Sequence, residues 1–198
     1  MEHPGNVCWY ALYVRSRFEK KVHQQLQEKG VTSFLPLIET VRQWSDRKKR
    51  VEEPLFRGYV FVNIDHHTGH VPVLETEGVV RFIGIGRNPS VIAERDIEWL
   101  RRLVREPAAV GRIVASIPAG KRVRVLAGPF KDFEGTVIKA GREDRLVVFF
   151  DSIMQGVEIT ILPELLTPID STRSREPQDD SGKRDEAGES VIKHFTRP

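Results

Sequence analysis

The chain has 198 residues, 39% of them hydrophobic, enough for one ordinary core or for a medium core and a small second one. Its 31 basic and 28 acidic side chains give a net charge of only +3, so an anionic partner must be argued from where the charges lie. A single cysteine, Cys8, excludes an intramolecular disulfide and a cysteine-based zinc site; no apolar run reaches membrane-spanning length, and the start, MEHPGNVCWY, lacks the order of a signal peptide, so a cytoplasmic protein is expected.

Residues 9–14, WYALYV, read as a strand, and Ser16 followed by Glu19 has the spacing of a capping box that starts a helix. Phe18, Val22 and Leu26 share one stripe of that helix, and Gly30 is its stop. Residues 32–41 are strand-like but contain Pro36, which predicts an edge or a bulge. The run RQWSDRKKR at 42–50 sets Arg42, Arg47, Lys48, Lys49 and Arg50 against Asp46 alone and reads as a basic hairpin tip. In EEPLFRGYVFVNI, alternation puts Val60, Val62 and Ile64 on one face and Tyr59 and Phe61 on the other. A strand apolar on both faces must be covered twice, by its own domain and by something else. Residues 66–70 read as a polar loop, 71–76 as a short helix stopped by Gly78, 79–83 as a strand, and 94–105 as a helix with Ile97, Leu100 and Val104 inward. The sum is an α+β domain over 8–105, an antiparallel sheet with flanking helices.

Residues 106–117 lack a clear period and read as a linker. Five short β segments between 118 and 169 predict a small five-stranded barrel. Within it, GKRVRVLAGPFKDFEGTVI at 120–138 has the pattern of a hairpin: Val123 and Val125 lead into Gly128-Pro129-Phe130, and Phe133 and Gly135 precede Thr136, Val137 and Ile138. That order resembles the KOW motif. Residues 170–198 are polar and charge-mixed and read as a disordered tail.

WYALYVRSRFE at the start, EPLFRGYVFV in the middle, GVVRFIG at 78–84 and the KOW hairpin together resemble the NusG family of transcription elongation factors, across residues 8–169. The resemblance implies a monomeric, cofactor-free, non-enzymatic factor. Its amino-terminal domain would sit on the clamp helices of the largest subunit of bacterial RNA polymerase and suppress pausing; its KOW domain would recruit a further factor, such as Rho or a small-subunit ribosomal protein. Carried onto this chain, Phe56, Tyr59 and Phe61 line the groove for the clamp helices, and His66, His67 and Thr68 fall where a polymerase-touching loop is expected. Arg15 and Arg17 would meet the non-template strand, Arg47, Lys48, Lys49 and Arg50 upstream or single-stranded DNA, and Ile153 and Met154 the KOW partner. The SIMQG segment and the PLFRGYVFV wording look more like a specialised, RfaH-like paralogue than a housekeeping factor, while the valine-rich barrel segments favour a permanent β form.

The residues alone leave a rival, a KOW-containing RNA-binding or ribosome-associated protein whose basic run contacts RNA. Catalytic readings are weaker. Asp65-His66-His67 has no second histidine-carboxylate cluster with which to build metal sites, and Gly84-Ile85-Gly86 lacks the lysine and hydroxyl of a phosphate-binding loop.

Overall fold

The computed structural model of the chain describes residues 7–43, 48–86, 88–116, 119–140 and 143–169. The first strand, β1 (Val7–Val14), runs up the middle of an antiparallel sheet ordered β2-β5-β1-β6, flanked by β2 (Thr32–Phe34), β5 (Tyr59–Asp65) and β6 (Val79–Phe82), with the short β9 (Val91–Ile92) also pairing to β1. The β1–β5 register sets Tyr10 opposite Val62 and Leu12 opposite Val60. Period-two alternation along both strands therefore builds two different walls. Tyr10, Leu12, Val14, Val60, Val62 and Ile64 form one cluster with Val22 and Leu26 of helix α1 (Glu19–Glu28) and Val73 of helix α2 (His66–Leu74). Trp9, Ala11 and Phe61 point the other way, into a second cluster with Leu55, Phe56 and Ile97, Leu100 and Leu103 of helix α3 (Glu94–Arg105).

Between these elements, β3 (Leu37–Gln43) and β4 (Lys48–Pro54) form a separate hairpin, and the strand expected over 32–41 is split by Leu35-Pro36 into β2 and β3. A two-residue pair, β7 (Gly84–Ile85) with β8 (Asn88–Pro89), completes the N-terminal domain. Among the described residues no helix is long and apolar enough to cross a membrane.

Several local expectations are corrected. Ser16 makes no cap, and α1 starts without a side-chain cap bond. Glu19 is instead buried, its carboxylate accepting a 2.7 Å hydrogen bond from the backbone N–H of Gly58, which fastens the helix to the turn before β5. Gly30 does close α1, at φ 74°, where a side chain would be strained. Residues 66–70 are not a loop: Asp65 accepts from the N–H of His67 at 3.0 Å, and α2 starts there. On α3 the inward residue near the end is Leu103, fully buried, while Val104 is only half-buried.

The C-terminal half holds the five predicted segments as β11 (Lys121–Val125), β12 (Glu134–Ala140), β13 (Glu143–Phe150), β14 (Gln155–Thr160) and β15 (Leu166–Pro168). The sheet is nevertheless six-stranded, ordered β10-β14-β13-β12-β11-β15. Its extra strand, β10 (Val110–Val114), comes from the stretch expected to be a linker, preceded by a 3-10 turn at Pro107–Ala109. The KOW hairpin forms as expected, with Val123 opposite Gly135 and Arg122 opposite Thr136. Gly135 is required there, since a Cβ would stand 2.2 Å from the Val147 carbonyl oxygen. The tail, 170–198, lies outside the described residues.

Candidate functional site

The second wall of the N-terminal sheet is where the aromatic candidates converge, and it is covered. Phe56 and Phe61 are 2% and 1% exposed, Phe61 facing Phe34 across 6.2 Å, while Tyr59 is half-buried at the rim with its ring edge-on to Tyr13 at 6.1 Å. Arg101 of α3 lies over both Trp9 and Phe34, at 5.5 and 5.7 Å. The rest of the cover comes from the far half of the chain. Phe56 meets Phe150 of β13 edge-on at 6.0 Å, and Trp99 of α3 stacks on Phe133. Arg102 donates from Nε and Nη2 to the Pro129 carbonyl, at 2.8 and 2.5 Å, and from Nη2 to that of Lys131 at 2.8 Å, its guanidinium 4.7 Å from the Phe133 ring. The turn of the KOW hairpin, through Pro129 and the following Lys131, thus supplies two carbonyls for the fork of one arginine. The apolar cluster is continuous across both halves, from Trp9 to Ile159.

A carboxyl group also faces across this contact. Asp96, on the first turn of α3, has its carboxyl pushed up by burial and also by Asp151, in the 3-10 turn that follows β13, against the downward pull of Arg95. Proximity to a second carboxylate and loss of water both disfavour its charged form.

The cationic candidates are exposed but dispersed. Arg15 and Arg17 lie at the β1–α1 junction, Arg17 at φ 67°, a conformation few non-glycine residues adopt. Ser16, Arg17, Glu19, Lys20, Glu53 and Arg57 edge a cavity of about 490 Å³ between that junction and the β3–β4 hairpin. Lys48, Lys49 and Arg50 are exposed on β4, Arg50 within 3.5 Å of Glu39, whereas Arg47 falls outside the described residues. His67 and Thr68 are exposed on the first turn of α2. His66 turns inward, 5.1 Å from the His70 ring and 5.6 Å from Phe82, with its pKa lowered by burial and then by His70 and His67. On the C-terminal sheet, Met154 is 63% exposed at a left-handed turn, φ 53°, but Ile153 is buried at 2% and packs inward, unlike a surface contact. Among the described residues, no group of three histidine, cysteine, aspartate or glutamate side chains is placed to hold a metal ion.

Sequence reasoning found the aromatic wall but missed Trp99, Arg102, Phe133 and Phe150 as the groups that close over it. A tryptophan and an arginine three residues apart on a helix carry no local sign of a partner lying 27 or more residues downstream.

A small α+β domain with a two-sided sheet, joined to a KOW-bearing β sheet, defines a protein built of two modules. Residues 7–101 match the family model described as "Transcription termination factor nusG", and residues 119–149 match the KOW motif. The chain is 32% identical over 155 residues to the transcription termination/antitermination protein NusG of Xylella fastidiosa, covering 68% of this chain and 84% of that one. It is 30% identical over 147 residues to the protein of the same name from Pseudomonas aeruginosa, covering 68% and 82%. Its fold is similar to that in the structure titled "Domain interaction in Thermotoga maritima NusG", with a TM-score of 0.51 and 21% identity over 83% of this chain and 98% of the other. The chain belongs to the NusG family, and it is a transcription factor.

Proposed function

We propose that this transcription factor binds bacterial RNA polymerase through the second wall of its N-terminal sheet and acts on elongation and antitermination by holding the polymerase clamp closed across the DNA. The observation that carries this reading is the double-sided sheet. Its first wall is sealed by α1 and α2 of the same domain, while the second, with Phe56, Tyr59 and Phe61, is completed by a module from elsewhere in the chain. A wall that rigid aromatics keep apolar is suited to a helical partner, such as the clamp helices of the largest polymerase subunit. Arg15, Arg17, Lys48, Lys49 and Arg50 are exposed and available for non-template or upstream DNA, by phosphate neutralisation. His67 and Thr68 offer a polar polymerase contact at the start of α2, and Met154 an adaptable contact for a factor recruited by the KOW module, Rho or a small-subunit ribosomal protein.

In the arrangement described, the KOW module and polymerase compete for one wall. Apparent affinity is then the intrinsic affinity multiplied by the fraction of molecules whose wall is open.

The test is binding of purified core RNA polymerase to the wild type and to Tyr59→Ala, with circular dichroism as the folding control. Loss of an interaction that the wild type makes, with folding kept, supports the reading. A folded wild type that ignores polymerase at physiological salt while co-purifying with ribosomal RNA would replace it by the ribosome-associated one.

A further inference from the structure

The chain between the two modules is held taut. α3 ends at Arg105 and β10 begins at Val110, leaving residues 106–109 as the free connection, and part of that is the 3-10 turn Pro107–Ala109. Ala109 and Val110 are packed against the apolar cluster.

β10 itself is weakly anchored. It is an edge strand that pairs only with β14, Val110 opposite Ile159, Ile113 opposite Val157 and Val114 opposite Gly156, and the ladder is irregular between Val110 and Ile113. None of its five residues is fully buried. What fixes its middle is Glu158, 1% exposed on β14, whose carboxylate accepts from Arg112 of β10 at 3.0 and 3.4 Å and from Arg145 of β13 at 3.1 Å. Gly111 lets the strand lie close over this pair: a Cβ there would stand 3.1 Å from the Glu158 Cβ and 3.4 Å from Arg145 Nη1. The two arginines differ in kind. Arg145 belongs to the central strands and is 28% exposed; Arg112 is 76% exposed and arrives with β10. If β10 leaves, Glu158 keeps Arg145, and no buried carboxylate is stranded. Edge strands with few buried apolar contacts, as here with only Val110 against the cluster, are among the first elements to open in native proteins.

We propose that β10 is a detachable strap that sets the length of the tether between the two modules, and so sets how firmly the KOW module covers the wall. The proposal rests on the preceding reading only in taking that wall as the docking face. With β10 zipped onto β14, the tether is residues 106–109; with β10 released, it extends to residue 120, just before β11. Effective concentration falls roughly as the −3/2 power of tether length, so release lowers the local concentration of the KOW module at the wall about sevenfold.

The experiment uses the full chain carrying a dye pair, one dye on α1 and one on the turn at 128–131, together with hydrogen exchange. Arg112→Asp sets a carboxylate against Glu158 from an exposed position, so the rest of the sheet should stay folded. A second variant inserts eight glycine and serine residues after Pro107, lengthening the tether without touching β10. The expected result is that Arg112→Asp raises exchange at 110–114 at least tenfold with β12 and β13 still protected, and that both variants increase the fraction of open molecules several-fold. Three results would overturn the proposal: unchanged protection of 110–114 in Arg112→Asp, a released β10 with an unchanged dye distance, or a wild type already open. The dye distance reads closure without polymerase, so failure of polymerase binding would sink the functional reading and leave this result standing.

Discussion

The indole of Trp99 on α3 stacks on the ring of Phe133 beside the KOW hairpin, with centroids 4.6 Å apart and planes 26° from parallel. Both rings are buried and belong to the one apolar cluster that spans the two modules, so this pair is a point where the two hydrophobic interiors join. A stacked aromatic pair contributes about 0.5–1.5 kcal/mol beyond its buried area. Trp99→Leu keeps an apolar side chain on α3 but loses the stacking, and it is expected to cut the ratio of closed to open molecules about tenfold at the upper end of that range, read as interdomain dye distance. Arg102→Lys should act in the same direction, because an ammonium cannot reproduce the fork that serves the Pro129 and Lys131 carbonyls.

Closure should also depend on acidity. Burial pushes the Asp96 carboxyl up, and Asp151 of the covering module adds to the rise, so the closed form binds its proton more tightly than the open form. Closure is therefore favoured as pH falls into the carboxylate range and weakens as pH rises through the elevated value. A titration of interdomain distance should show that trend in the wild type and lose most of it in Asp96→Asn. An Asp96→Asn chain with an unchanged titration would locate the proton elsewhere.

Phe61 and Tyr59 share one face of β5 but should respond differently to truncation. Phe61 is 1% exposed between Phe34 and the α3 cluster, and Phe61→Ala should destabilise the N-terminal domain by about 3–5 kcal/mol, visible in thermal unfolding. Tyr59→Ala at the rim should leave the melting temperature within a few degrees of wild type. Tyr59 is accordingly the informative position for polymerase binding, since losses at Phe61 would mix docking with folding.

That contrast marks how far the sequence could be read. Alternation along YVFVNI was legible because the period-two pattern is local, and both walls follow from it. Which of the wall aromatics would be fully buried was not legible, because the cover arrives from Phe133 and Phe150, far along the chain. α2 was misread for a different reason. Gly69 and Pro72 argue against a helix, yet Asp65 accepts from the His67 N–H and sets the first turn before the proline is reached. β10 was misread as a linker because VGRIV has no buried alternation, its partner strand being 45 residues away and its anchor a charged pair. The capping box failed because Glu19 found Gly58 instead of its own helix start.

The Glu158 cluster gives a prediction about acid stability. Its carboxyl is held below the usual range first by the Arg112 hydrogen bond and also by Arg145, against the opposing effect of burial. A carboxylate depressed in the folded state contributes stability at neutral pH that is lost as pH falls through the depressed value. Urea unfolding of the C-terminal sheet should lose stability as pH falls from neutral through the carboxylate range and below it, and Glu158→Gln should flatten that slope. Glu158→Ala should cost about 3 kcal/mol at neutral pH, because Arg145 would remain largely enclosed without its partner. A Glu158→Ala chain as stable as wild type would mean that solvent already reaches the cluster.

The two-walled sheet also governs how the molecule can be taken apart. A fragment ending at residue 105 would uncover Phe56 and Trp99, which Phe150 and Phe133 meet in the whole chain, leaving an oily surface with a second copy of itself as the nearest available cover. Such a fragment should stick to itself as its concentration rises. The intact chain carries its own shield, and in that sense the KOW module acts as a solubilising chaperone for its neighbour until something larger takes over the surface.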